Sequence, residues 1–118
     1  CSSDLDDSYE NAGICARQAG QNTKALEYYR LALGYNPNKV RLMLELAEMA
    51  LDAHKPDEAQ QILSTYRSKA NPTPQSLWLS LRTAQEQGHI ADMHVFGQSL
   101  VQQFPSSIQA KRYQNNDY

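Results

Sequence analysis

The sequence places small and turn-forming residues at a fixed interval of 34 positions. Two triplets show the interval most clearly, namely Gly20, His54 and Gly88, and Ala16, Ala50 and Ala84. A period of this length indicates stacked copies of one supersecondary unit, because a single copy cannot bury its apolar face alone. Leu and Ala each occur 13 times, against three Val and four Ile, and this bias favours helices over strands. The sequence therefore predicts an all-α fold made of repeated helical hairpins.

A helix-turn-helix unit with a 34-residue period resembles the tetratricopeptide repeat. The resemblance implies a single domain over residues 1–118, folded as a right-handed superhelix. We expect three repeats, a short capping segment and a tail, at residues 6–39, 40–73, 74–107, 106–113 and 114–118. A bundle of four or six helices would explain the helix lengths, but it would not explain why small residues recur at one offset.

Small residues at matched positions allow the two helices of a repeat to approach each other. Gly13 and Ala47 have this role in the first two copies, and Tyr9, Tyr29 and Leu63 are expected to fill the space beside the small residues. The third copy departs from the pattern, because Leu81 stands at the Gly13 position and Gly97 at the Tyr29 position. We interpret the third copy as a degenerate terminal repeat.

Prolines and capping residues set the expected helix bounds. Pro74 is expected at the first helical position of the third repeat, directly after a capping residue. The predicted N-caps are Asn22, Asn38, Thr73 and Ser106. The predicted helices cover residues 7–19, 23–35, 39–53, from 56 onward, 74–87, 90–104 and, after Pro105, to 113. Ile108 is expected to cover the exposed face of the sixth helix, and the tail is expected to be frayed.

Composition excludes several classes of protein. The net charge is −2, from 11 basic and 13 acidic residues, and this lacks the basic excess of a nucleic-acid-binding domain. No apolar run approaches the length needed to cross a bilayer. Two cysteines, Cys1 and Cys15, are too few for a disulfide framework. Cys15 is either a small buried thiol or bridged to Cys1, and both alternatives remain open at this point.

No recognised catalytic or phosphate-binding motif occurs in the sequence. His89, Asp92 and His94 resemble a ligand set, but the two histidines are five residues apart and do not share one helix face. An acidic row on the predicted third helix consists of Glu45, Glu48 and Asp52. Such a row is more typical of a solvated face than of acid–base catalysis, since no nucleophile accompanies it. We therefore predict a non-enzymatic protein without cofactor or metal.

The tetratricopeptide resemblance implies that the first helices of the repeats line a concave groove that holds a partner protein. The carboxylate clamp of chaperone-binding repeats is not expected here, because Glu10 and Ile14 stand where that clamp has Lys and Asn. Trp78 either anchors a partner or packs beneath the C-terminal helix, and packing is favoured. The candidate partner-binding residues are Glu10, Asn11, Ile14, Arg17, Arg41, Leu44, Glu48, Leu51, Trp78 and Arg82.

Four segments carry a narrower resemblance. They read SYENAGICARQAG, KALEYYRLAL, PTPQSLWLSLR and QQFPSS. Together they resemble the C-terminal portion of the type IV pilus biogenesis/stability proteins, the PilW/PilF pilotins. This resemblance implies a lipoprotein on the periplasmic face of the outer membrane, which assists localisation and assembly of the secretin and thereby fimbrial assembly and twitching motility. The alternatives are a generic peptide-binding adaptor or co-chaperone unrelated to pili, and a regulatory subunit of an enzyme.

Members of that family carry further repeats before this point. We expect either that the chain is a fragment or that Cys1 is the lipidated first residue of a shorter relative, and the fragment is favoured. Without a preceding helix, a strip containing Ala12, Cys15 and Ala19 would be exposed. Self-association of the chain through this strip is therefore a further expectation.

Overall fold

The computed structural model describes the backbone of residues 5–118 and the side chains from Tyr9 onward. Seven α-helices lie in this described part, which contains no strand. Their bounds are α1 Leu5–Gln18, α2 Asn22–Tyr35, α3 Val40–Asp52, α4 Pro56–Lys69, α5 Pro74–Gln87, α6 Ile90–Gln103 and α7 Ile108–Gln114. Helices α1 to α6 form three successive hairpins that stack into an elongated body of 43 × 25 × 22 Å. The predicted all-α architecture of three hairpin repeats and a short C-terminal helix is confirmed.

Each repeat contains the same turn, which begins at one residue of the alanine triplet and ends at one residue of the triplet Gly20, His54 and Gly88. Gly20, His54 and Gly88 adopt the left-handed conformation, with φ of 80°, 60° and 79°. The residue after each of them donates its backbone N–H to the carbonyl of Ala16, Ala50 or Ala84, at 2.8 Å in all three turns. This hydrogen bond closes the end of the first helix in each hairpin, as in a Schellman motif. The middle turn differs in placing a histidine where the left-handed conformation favours glycine.

The first and third hairpins both pair a large residue with a glycine, but the large residue and the glycine lie on opposite helices in the two hairpins. In the first, a Cβ on Gly13 would lie 2.7 Å from the ring of Tyr29, so only glycine admits that ring. In the third, the first helix carries the large residue, the fully buried Leu81, and the second helix carries Gly97. A Cβ on Gly97 would overlap the ring of Tyr113, which comes from α7. The third repeat is therefore packed by a complementary exchange of sizes, with α7 completing it.

Helix α5 begins as the sequence predicts. The side chain of Thr73 accepts a hydrogen bond from the backbone of Ser76 at 3.1 Å, and Ser76 Oγ accepts one from the backbone of Thr73 at 2.8 Å. This reciprocal pair is a capping box, which satisfies backbone N–H groups at a helix start. Pro74 occupies the first turn, where its missing N–H costs nothing.

The other three predicted N-caps are wrong by one residue. Helix α2 is capped by Gln21 instead of Asn22, and α3 by Lys39 instead of Asn38, neither with a side-chain hydrogen bond. The physical reason is that the preceding turn already fixes where the helix starts. The backbone of Asn38 instead donates to the side chain of Asn36 at 3.2 Å. For α7 the cap is Ser107, not Ser106, and Ser107 Oγ accepts from the backbone of Ala110 at 3.1 Å.

The C-terminal segment packs differently from the prediction. Ile108 is 73% exposed, and the side chains of α7 that face the core are Ala110 and Tyr113. The tail after α7 also makes contacts that the prediction did not include. Asn116 adopts a left-handed conformation with φ of 56° and ends the segment in a turn, and the ring of Tyr118 stacks on Tyr113 with centroids 5.9 Å apart. Helix α7 and the tail therefore cover the third hairpin together.

Candidate functional site

Charged side chains connect the first helices of successive repeats. Arg17 on α1 pairs with Glu48 on α3 at 3.4 Å, and Asp52 on α3 pairs with Arg82 on α5 at 3.6 Å. The four side chains are between 32% and 53% exposed. Together with Glu45 they define the surface that we name the first-helix face. Because these pairs are accessible to water, each contributes no more than about 1 kcal/mol to stability.

Tyr29 supports the first-helix face from below. Its ring is buried against Gly13, while its hydroxyl is hydrogen-bonded to the side chain of Glu45. Burial, followed by the negative charge and hydrogen bond of Glu45, raises the pKa of Tyr29 to about 12, although Arg17 acts in the opposite direction. The hydroxyl therefore stays protonated at neutral pH and can hold the carboxylate of Glu45 as a hydrogen-bond donor.

Most of the predicted groove residues lie at the surface of α1, α3 and α5. Asn11 and Ile14 are half-buried and Arg41 is exposed. Glu10 forms an ion pair of 2.8 Å with Lys39, the residue that precedes α3. This pair joins the beginning of α1 to the beginning of the second repeat. Arg17, Glu48 and Arg82 belong to the first-helix face already described.

Three predicted groove residues are buried instead. Leu44 is 6% exposed and Leu51 1% exposed, because the wide apolar stripe of α3 turns both toward the core between the second and third repeats. Trp78 is 9% exposed and packs in the cluster that includes Ala110 of α7. The guanidinium of Arg112 lies 4.7 Å from the centre of the indole ring. Trp78 therefore takes the packing role of its two predicted alternatives, and none of these three residues belongs to the first-helix face.

A cavity that the sequence reading missed lies where α4 meets α5 and α6. It has a volume of about 230 Å³. We call the contact of α4 with α5 and α6 the second junction, since it lies between the second and third repeats, and we name this space the second-junction cavity. The first junction is the corresponding contact of α2 with α3 and α4. The lining residues are Gln60, Leu63, Arg67, Ser80, Thr83, Ala84, Gln87, His89, Asp92 and Phe96. Comparing polar residues, and not only small ones, across the 34-residue offset would have revealed it.

The described residues contain no group of three or more His, Cys, Asp or Glu side chains that could hold a metal ion. His94 Nδ1 lies 2.8 Å from the hydroxyl of Tyr113, whereas His89 and Asp92 line the second-junction cavity. Cys15 is disulfide-bonded, which removes the free-thiol alternative. Cys1, the partner in the other alternative, lies outside the described residues. Within residues 5–118, none of the helices has the length and apolar character to span a bilayer.

A tetratricopeptide repeat family model matches residues 16–84, which is more than half of the sequence. The chain belongs to the tetratricopeptide repeat family. The match covers the first and second recurring turns, the first junction and all five residues of the first-helix face.

Two solved structures are similar to the chain over nearly its whole length. One is described as "Functional Characterization of Pseudomonas Aeruginosa pilF", with 22% identity, a TM-score of 0.78 and 94% of this chain covered. The other is described as "Crystal structure of PilW, widely conserved type IV pilus biogenesis factor", with 23% identity, a TM-score of 0.84 and 92% of this chain covered. The chain spans about half the length of each, since 50% of each is covered. At this identity the likeness establishes the fold. No curated protein matches the sequence.

Proposed function

We propose that the chain is a protein–protein interaction scaffold of type IV pilus biogenesis. The observation that carries the proposal is structural. More than 90% of the chain can be superposed on PilF and on PilW, with TM-scores of 0.78 and 0.84. PilW is itself described as a type IV pilus biogenesis factor. Repeat proteins of this kind act through extended surfaces built from several repeats, and the chain offers such a surface.

The first-helix face is the surface that we propose to hold the partner. Its charges alternate along the stack of repeats, from Arg17 to Glu48 and from Asp52 to Arg82. Because both pairs are partly hydrated, exchanging them for charges on a partner costs little. A surface of alternating sign also favours one docking register, since a shifted partner would bring like charges together.

The finer parts of the proposal concern the partner and the location. We propose the outer-membrane secretin or another pilus assembly component as the partner, and the periplasmic face of the outer membrane as the site of action, with a lipid anchor on the full-length protein. A scaffold role requires neither a cofactor nor catalysis, and the absence of enzymatic activity stays a prediction.

The proposal is tested in the bacterium that encodes the chain. The gene is deleted and complemented with wild type, with Arg17→Glu/Arg82→Glu, or with the control Arg30→Glu. Arg30 is also an exposed arginine in an ion pair, but it lies on α2 and outside the first-helix face. Heat-stable secretin multimers are quantified by immunoblot, together with surface pili.

We expect the deletion to lower secretin multimers and pili, the control to restore both, and the double variant to restore neither. Circular dichroism of the purified variants checks that both are folded. Unchanged multimers and pili after deletion would contradict the pilus role and favour a generic peptide-binding adaptor. Full restoration by the double variant would contradict the role of the first-helix face.

A further inference from the structure

The two junctions between repeats are built from residues that correspond at an offset of 34 positions, but their chemistry differs. At the first junction the central side chains are apolar, namely Leu26, Leu33, Leu46, Met49 and Ile62. The corresponding residues of the second junction are Gln60, Arg67, Ser80, Thr83 and Phe96. Four of the five positions have therefore changed from an apolar to a polar or charged side chain.

The change from large to small side chains joins two spaces into one. At the first junction Leu46 lines a depression of about 340 Å³ and Met49 a separate one of about 140 Å³. Ser80 and Thr83 replace these two residues at the second junction and both line the same cavity. They are as buried as their counterparts, with 5% and 3% exposure against 2% and 4%. Because they are shorter, they do not divide the space.

The charges in the second-junction cavity have no ionic partner among the described residues. Arg67 Nη1 donates to Ser80 Oγ and Nη2 to Ser64 Oγ, both at 3.2 Å, and the guanidinium lies 5.6 Å from the centre of the Phe96 ring. None of these contacts is a carboxylate. Since a guanidinium has five N–H donors, Arg67 keeps donors available for an anion.

Asp92 provides the opposite charge in the cavity wall. Its counterpart at the first junction is Glu58, which Arg30 neutralises at 3.4 Å. The residue that corresponds to Arg30 at the second junction is Ser64, so that neutralising charge is missing. Arg67 and Asp92 line the same cavity without forming an ion pair with each other. The cavity therefore presents one cationic and one anionic side chain to a ligand.

Apart from the imidazole of His89, the remaining wall is either apolar or already hydrogen-bonded. Leu63 and Phe96 supply apolar surface. Gln87 Nε2 donates to Asp57 Oδ1 and to Gln60 Oε1, both at 2.9 Å, and so fixes the rim. A volume of about 230 Å³ is below the range of pockets for drug-sized molecules and suits a single side chain.

We propose that the second-junction cavity binds an acidic side chain of a partner peptide. The carboxylate of a glutamate or aspartate lies on the guanidinium of Arg67, its methylene groups lie against Leu63 and Phe96, and a peptide N–H donates to Asp92. The site is separate from the first-helix face and does not depend on the proposed role in pilus biogenesis.

The test is an NMR titration of the ¹⁵N-labelled chain with N-acetyl-glutamate-N-methylamide, compared with the glutamine analogue of the same size. We expect saturable shifts at the amides of Ser80, Thr83 and Phe96 with the glutamate probe. The glutamine probe should bind at least about tenfold more weakly, because it lacks the charge-assisted hydrogen bonds to Arg67. Equal affinity for both probes, or no saturable shift up to about 50 mM, would overturn the proposal.

Variants of the lining residues test whether the glutamate probe binds in the second-junction cavity. Arg67→Gln should weaken the glutamate probe about tenfold, Ser80→Leu should abolish binding by filling the cavity, and Asp92→Asn should weaken it moderately. Arg30→Gln, at the first junction, is the matched control and should leave the affinity unchanged. Unchanged affinity in Arg67→Gln, or tighter binding in Asp92→Asn, would contradict the proposed pose. If Ser80→Leu does not fold, the surface variant Arg67→Gln still decides the question.

Discussion

The first and second junctions have the same arrangement of helices but bury different side chains. The first is an apolar contact that stabilises the fold, whereas the second is the one that we propose to bind a partner side chain. The first junction buries Leu46 and Met49 between α2 and α4 and is part of an apolar cluster with Tyr29. The second buries Ser80 and Thr83 at corresponding positions, where their hydroxyls donate to the carbonyls of Ser76 and Leu79 at 2.9 and 2.8 Å. The Thr83 hydroxyl is satisfied within its own helix, and Ser80 gains one hydrogen bond from another repeat, donated by Arg67, so the pair contributes less to the contact between repeats than the buried apolar pair of the first junction. The repeat architecture therefore fixes the backbone positions and leaves the function of each junction to its side chains.

The largest expected effect on stability comes from placing a polar residue of the second junction at the corresponding position of the first. Leu46→Ser removes a buried side chain and leaves a hydroxyl at the centre of the cluster, so we expect the free energy of unfolding to fall by about 3 kcal/mol. Urea denaturation measures this loss. Leu31→Ser, at a side chain that is 46% exposed on α2, is the control and should change stability by less than about 0.5 kcal/mol. A loss from Leu46→Ser no larger than the control's would show that the first junction is not a stabilising contact.

Alkaline pH should weaken the first junction specifically. The pKa of Tyr29 is raised from 10.0 to about 12 in the folded chain. Below pH 10 the residue is protonated in both states, whereas between pH 10 and 12 the unfolded chain loses the proton first. The free energy of unfolding should therefore fall by about 2 kcal/mol across this window as the pH rises.

The Tyr29→Phe variant isolates this effect, because it removes the titrating group while keeping the ring. Denaturant unfolding at pH 9 and pH 12 should show a smaller alkaline loss in Tyr29→Phe than in wild type. Tyr35→Phe, at a side chain that is 62% exposed, should retain the wild-type pH dependence. Identical losses in all three proteins would contradict the raised pKa.

The reverse conversion should produce a moderate gain. Ser80→Leu places at the second junction the residue that the first junction has at the same position, and the added side chain fills the second-junction cavity. We expect the melting temperature to rise, in line with a gain of about 1 kcal/mol, since Arg67 loses one hydrogen bond but apolar surface is buried. Ser106→Leu, at an exposed position, should give no such gain. A destabilised Ser80→Leu would show that the cavity cannot accept an apolar side chain.

The smallest expected effect concerns the turns beside the two junctions. His54→Gly relieves the left-handed conformation of a non-glycine residue, and we expect it to raise stability by about 0.5 kcal/mol after the entropy of the glycine is included. Ala53→Gly is the matched control, since Ala53 has a φ of −87° and gains nothing from glycine. A control that stabilises as much as His54→Gly would contradict this explanation of the turn.

The parts of the fold that were predictable from sequence are those that depend on local chemistry. The recurring turn at Gly20, His54 and Gly88 and the N-cap at Thr73 follow from which residues tolerate a left-handed φ or can cap a helix. The capping errors at Asn22 and Asn38 arise because a helix start is fixed by the turn before it, so the best capping side chain nearby is not necessarily used. The outward position of Ile108 and the inward position of Tyr113 depend on Gly97, which is distant in sequence.

The candidate surface was only partly predictable for the same reason. Helical spacing placed Arg17, Glu48 and Arg82 on the first helices, and the structure joins the first two in one of the ion pairs between repeats. The same spacing also selected Leu44 and Leu51, because it does not show how wide the apolar stripe of α3 is. The contact between Arg67 and Ser80 joins two helices, and spacing within one helix carries no information about it.

The ring of Tyr113 in the space above Gly97 has a consequence for any shortened form of the chain. A version that stops after Pro105 would keep all six helices of the hairpins, yet it would leave α6 uncovered at Gly97, where the ring of Tyr113 lies. Its last hairpin should melt before the other two, in a separate step at lower temperature. Helix α7 is thus required for the stability of the third hairpin.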